Sequence, residues 1–207
     1  TARAWSPGAG GPARRPWSTR ENMYDFAFSA DGRRAAATGW NGLVNVWDVA
    51  SGTIVASWNG HAQSGLRAAI DRDGSRVATT SYDGRTIIWD AGTGRQIVEL
   101  DAVGTHAGSA GVAFSPDGRR AAAAAAPGTV RVWDVPAGTL RLEIRDGARI
   151  AEHVSWSPDG GLLAFGSSDG AVRLFDAATG SEAGRLVHGR GSTVARFSGD
   201  GRMLAVA

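Results

Sequence analysis

The chain has 207 residues, 43% of them hydrophobic, with 30 Gly, 7 Pro and no Cys, enough apolar content for one large all-β domain or two small ones. The lack of Cys excludes a disulfide framework, a thiolate metal site and a cysteine nucleophile, and no apolar run approaches the length of a membrane-spanning helix. Against 20 acidic residues stand 22 basic ones, all Arg, for a formal charge of +2; they are scattered, with neighbours only at Arg14-Arg15, Arg33-Arg34 and Arg119-Arg120, so no basic stripe for nucleic acid is predicted.

In chain order, Ala2-Arg3-Ala4-Trp5 aligns with Val44-Asn45-Val46-Trp47, so the chain is expected to open inside a third strand. Residues 1–18 then form the tail of a preceding unit, and the Pro and Arg content of Gly8–Pro16 weakens its fourth strand. A full unit over 19–60 predicts strands at Tyr24–Phe28, Arg34–Gly39, Leu43–Trp47 and Thr53–Trp58, with turns at Asp31-Gly32 and Asn41-Gly42. The second, 61–103, has an apolar segment ending at Ile70, then Asp73-Gly74, Val77–Ser81, Asp83-Gly84 and Thr86–Trp89. The third, 104–147, holds the alanine run Ala121–Ala126. That run is helical on propensity, but it is too short for a stable isolated helix between an Asp-Gly and a Pro-Gly turn. It is predicted as a strand whose neighbours admit only small side chains. A fourth unit covers 148–188, and 189–207 supply two more strands, Thr193–Phe197 and Met203–Ala207.

The units share one period. The Asp-Gly pairs at Asp31, Asp73, Asp117, Asp159 and Asp200 lie 42, 44, 42 and 41 residues apart. The aromatic-Asp pairs Trp47-Asp48, Trp89-Asp90, Trp133-Asp134 and Phe175-Asp176 lie 42, 44 and 42 apart, and the turn glycines Gly42, Gly84, Gly128 and Gly170 keep the same offsets. Three landmarks with one spacing define a repeat of short antiparallel strands joined by Asp-Gly turns.

This order of parts (Gly-His, strand, Ser-Pro-Asp-Gly, strand, Ser-x-Asp-Gly, strand, Trp-Asp) resembles the WD-repeat β-propellers, over 19–207 by motif and over 1–18 by register. The resemblance implies an all-β fold of four-stranded antiparallel blades around a channel, here four complete blades and two half blades. It also implies that each blade is pinned by His, Ser or Thr, Asp and Trp. In the second unit these are His61, Ser81 (or Thr80), Asp83 and Trp89. A buried indole N–H needs an acceptor, which a hydroxyl supplies, while His and Asp satisfy each other at the turn. The sister units depart from the set. The first has Asn41 and Trp47 with Arg20 or Thr19 in place of the His; the third has a displaced His106 and Trp133 with Ala125 and Pro127; the fourth keeps Ser167 and Asp169, but Phe175 has no N–H.

His61, Asp83 and Ser81 superficially resemble a hydrolytic triad. Refilling of the same slots with Ala, Pro and Phe favours a structural network instead, so no catalytic residue is assigned. The histidines at 61, 106, 153 and 188 are too dispersed for a metal site, and without Lys there is no Walker-type phosphate loop; no metal and no cofactor are expected. The remaining candidates lie on the surface. Trp40, Tyr82, Ala126 and Ser168 precede the second turn of their units. The resemblance places that position at the open end beside the channel, where proteins or peptides bind. Trp40 and Tyr82 would form an aromatic contact patch, unless Trp40 packs on Trp58 or Trp17. Tyr24 and Arg67 are expected at the same rim, beside Arg20.

The expectation is a segment of a larger propeller truncated at both ends, with a five-bladed ring closed by 193–207 and 1–16 as the competitor. The resemblance implies a non-enzymatic protein–protein interaction scaffold of the kind attached to signalling kinases or NTPases; Arg without Lys, with abundant Ala and Gly, points to a bacterial source, and a cytoplasmic location is expected. A propeller enzyme of lactonase or quinoprotein type and a periplasmic TolB-like propeller are the alternatives.

Overall fold

The computed structural model describes residues 22–100, 111–125, 128–145, 151–167, 169–187, 189 and 194–207. The expected strands of 1–18, together with His106, Ala126, Pro127, Ser168 and His188, lie outside them.

The Asp-Gly turns at Asp31, Asp73, Asp117, Asp159 and Asp200 each close a hairpin, and the result is all-β. Strands β1 (Met23–Phe28), β2 (Arg34–Gly39), β3 (Leu43–Asp48) and β4 (Ile54–Asn59) form the first sheet. The second contains β5 (Gly65–Ile70), β6 (Arg76–Ser81), β7 (Thr86–Asp90) and β8 (Gln96–Leu100). Strands β9 (Val112–Phe114), β10 (Arg120–Ala125), β11 (Thr129–Asp134) and β12 (Thr139–Arg145) make the third. The fourth holds β13 (Ala151–Trp156), β14 (Leu162–Ser167), β15 (Ala171–Asp176) and β16 (Glu182–Val187), followed by the hairpin β17 (Ala195–Phe197) and β18 (Leu204–Val206). Each sheet is a simple antiparallel meander, with neighbours in sequence also neighbours in space. Among the described residues no helix is long and apolar enough to cross a membrane.

The sheets stack face to face, which makes both faces of the second strand core. Ala121 and Ala123 pack with Trp133, Ala78 and Ile88 toward the second sheet, whereas Ala122 and Ala124 pack with Phe165 and Trp156 toward the fourth. All four alanines are at most 2% exposed. The run is therefore a strand, and its side chains are small because large partners reach it from both sides. Similar clusters join Ala36, Val44 and Val46 to Val77, and Ala164 and Val172 to Ala195.

Two recurrent irregularities aim the side chains that matter. The pairing of third to fourth strand shifts register at Val46/Trp47, Ile88/Trp89, Val132/Trp133 and Leu174/Phe175, always at the aromatic residue. The first strands shift at Met23/Asp25, Gly65/Arg67 and Ala151/His153. Bulges of this kind redirect a side chain without ending the sheet.

Candidate functional site

The polar centre of the second sheet is a chain of four groups. Trp89 Nε1–H donates to Thr79 Oγ1 at 2.7 Å, and Thr79 Oγ1 lies 2.7 Å from His61 Nε2. His61 Nδ1 lies 3.0 Å from Asp83 Oδ2, and Asp83 also accepts the backbone N–H of Ala62 (2.9 Å) and of Arg85 (3.0 Å). Because the Thr79 oxygen takes the indole proton, its own O–H donates to His61 Nε2, and the His61 proton sits on Nδ1, facing the carboxylate. Burial pushes the His61 pKa below its ordinary value; the Asp83 carboxylate opposes this and loses. Burial also disfavours the Asp83 anion, but the two backbone N–H bonds and His61 outweigh it and leave its pKa lowered.

The hydroxyl in this network is Thr79, not Ser81 or Thr80. Strand alternation is the reason. Thr79 pairs with Ile87 and Val77 with Trp89, which puts Thr79 and Trp89 on one face, while Thr80 pairs with Thr86 on the other. Ser81 stands at the strand end, where its Oγ donates to Ser64 O (2.9 Å) and accepts the Asp83 N–H (3.1 Å). The resemblance to a hydrolytic triad dissolves with it: Thr79 is fully buried and its oxygen is committed to Trp89.

The same slots are filled differently in the other sheets. In the fourth, the Thr–Trp pair is replaced by Phe165 and Phe175, stacked at 5.0 Å. There Asp169 pairs with buried Arg173 (Nη2 to Oδ2, 2.6 Å) in place of a histidine, which holds its carboxyl at about 2. Ser167, two residues before Asp169, is fully buried. In the first sheet Ala37 faces Trp47, and Asn41 takes the left-handed turn conformation at φ 59°. In the third, Ala123 occupies the Thr79 position, and the fully buried Trp133 indole N–H has no acceptor among the described residues.

The rim residues divide. Trp40 stacks on Tyr24, with ring centroids 5.8 Å apart and planes 7° from parallel, yet the two remain 50% and 48% exposed. Trp58 instead packs on Trp89 at 5.8 Å. Tyr82, at the equivalent turn of the second sheet, is 47% exposed. The turn carrying Trp40 is fixed to the next sheet: Gly42 O accepts the N–H of Gly60 (2.9 Å) and of His61 (3.3 Å). Gly42 has φ +73°, and a Cβ there would sit 2.0 Å from the His61 carbonyl oxygen, so only glycine fits. Arg67 stands near the start of β5. It lines a central cavity of about 470 Å³ framed by the first strands of all five units, together with Asp25, His153 and Arg196. The sequence weighs His153 only as a metal ligand; in the structure its Nε2 lies 3.3 Å from Arg67 Nη2.

Stacked four-stranded meanders around a central cavity define a β-propeller-type repeat protein. The WD domain, G-beta repeat family matches residues 18–48, 52–90 and 100–134, and the anaphase-promoting complex subunit 4 WD40 domain matches 142–195. The chain belongs to the WD-repeat family, whose domains generally mediate protein–protein interaction. No curated protein matches it.

Proposed function

We propose that this chain is a non-enzymatic docking module that binds a protein or peptide segment through Tyr24, Trp40 and Tyr82. The observation that carries this reading is the Tyr24–Trp40 stack, two aromatic rings ordered against each other with half of each left to solvent. Rigid aromatic anchors lose little conformational freedom on binding and dominate interface energetics. Ser168 is the sequence counterpart of Trp40 and Tyr82 in the fourth unit and is the further candidate in this reading. The Lys-free, Arg-rich composition supports a bacterial source; a cytoplasmic setting and an attached kinase or NTPase are taken from the likeness to other WD-repeat chains.

Peptides selected on the wild-type chain from a random display library test the assignment. The expected result is a loss of at least about tenfold in affinity in Trp40→Ala and Tyr82→Ala, with unchanged melting temperature. Peptides that bind both variants as well as the wild type would place the docking surface elsewhere.

A further inference from the structure

We infer that the central cavity is a binding site for a small organic or inorganic anion bearing a carboxylate or phosphate group. The cavity, about 470 Å³, has the size of ordinary small-molecule sites. Arg67, which lines it, is unevenly satisfied. Its Nη2 lies 3.3 Å from His153 Nε2, whereas its buried Nε–H has no acceptor among the described residues. A guanidinium only donates, so His153 Nε2 presents its lone pair to Arg67 and adds no positive charge in this arrangement. Arg196 contributes a second guanidinium to the lining from β17.

The carboxylate among these lining groups does not answer that demand. Asp25 accepts the backbone N–H of Ala68 at 3.0 Å, and among the described residues no ion pair joins it to Arg67 or Arg196. The lining thus carries two guanidinium groups against one carboxylate. Planar guanidinium donors match the oxygen pairs of carboxylates and phosphates. A cation is the wrong guest: among the described residues no group of three His, Cys, Asp or Glu converges to hold a metal. The bulges before Asp25, Arg67 and His153 set these three side chains at equivalent places in their strands, so the site is built by the same irregularity in three units. It is independent of the exposed rim and of the docking function proposed for it.

The test is calorimetric titration and thermal melting of the intact chain with inorganic phosphate and, separately, succinate, at ionic strength matched with sodium chloride. Saturable binding of phosphate or succinate is expected, with a rise in melting temperature that chloride does not give; which of the two binds names the anion class. Arg67→Gln is expected to weaken binding at least tenfold. Arg196→Gln, at an exposed position that leaves folding intact, is expected to weaken it several-fold, and Trp40→Ala is expected to leave it unchanged. A response to both anions no larger than that to chloride would overturn the assignment, as would equal affinity in wild type, Arg67→Gln and Arg196→Gln.

Discussion

Thr79 accepts the indole proton of Trp89 at 2.7 Å and stands at the same distance from His61, so one hydroxyl joins two buried rings. Thr79→Val keeps the shape and removes the hydroxyl, leaving the Trp89 N–H and His61 Nε2 unpaired in the core. The expected cost is about 1–3 kcal/mol, the penalty of a buried unsatisfied group. Ser81→Ala removes only bonds at the turn and is expected to cost about 0.5–1.5 kcal/mol. Denaturant unfolding of the two variants checks the order, and wild-type stability in Thr79→Val would show that the chain of bonds is not formed.

The third sheet offers the reverse experiment. Ala123 holds the Thr79 position, and the buried Trp133 N–H lacks an acceptor among the described residues. Ala123→Thr supplies the hydroxyl, and Ala123→Val adds nearly the same volume without it. Whatever the added volume costs, the Thr variant is expected to be more stable than the Val variant by about 1 kcal/mol. Equal unfolding midpoints would mean that Trp133 is already satisfied.

Much of this was readable in advance. Asp-Gly turns and aromatic-Asp pairs are local signals, so a period of about 42 residues and the four-strand units emerge from spacing alone. The choice among Thr79, Thr80 and Ser81 was harder, because three adjacent hydroxyls differ only in which face they present. Counting back along the pairing from Trp89 selects the odd-numbered face, but only the distance to the ring separates Thr79 from Ser81. The sequence shows that Phe175 has no N–H to satisfy, but that Phe165 takes the Thr79 position and stacks on Phe175 emerges only from the strand pairing. The approach of Arg67 to His153 was not legible at all. They are 86 residues apart and meet only because first strands surround one cavity.

Stability should depend on pH in two windows. Burial lowers the folded-state pKa of His61 from its ordinary 6.5, so as the pH falls the unfolded chain takes up that proton first. The contribution is complete above 6.5, declines as the pH drops through it, and levels off below the lower folded value. Arg173 holds Asp169 at about 2 against an ordinary 3.8, which is also the depressed case. Its contribution is present above 3.8 and lost between there and about 2. Unfolding free energies measured from pH 8 to pH 2 should show a slope near 6 that His61→Gln flattens and an acid limb that Asp169→Asn makes shallower. Parallel curves for wild type and both variants would contradict these assignments.

The arginines that open the second strands tie neighbouring sheets together, and they should not be equally important. Arg76 Nη2 donates to Gly118 O at 2.8 Å, and its Nε donates to Asp71 Oδ2 at 2.7 Å. Arg120 donates to Ala177 O at 3.1 Å and lies 4.9 Å from the centre of the Trp156 ring, but the turn residue in its unit is Ser115, where the second unit has Asp71. The fourth unit has Leu162 in this position, so leucine is compatible with the fold. Arg120→Leu therefore loses a carbonyl bond and a cation–π contact, about 1–3 kcal/mol together. Arg76→Leu also strands the Asp71 carboxylate, whose side chain is 2% exposed, and breaking a buried pair from one side costs about 3–5 kcal/mol. The backbone N–H of residue 76 and the Ser75 hydroxyl, which also reach Asp71, keep the loss toward the lower end. The decisive variant is Asp71→Ser with Arg76→Leu, which recreates the Ser157–Leu162 arrangement of the fourth unit. It should regain most of what Arg76→Leu alone loses, and a double variant as unstable as the single one would show that the cost came from the contacts with Gly118 and Phe114 and not from the stranded charge.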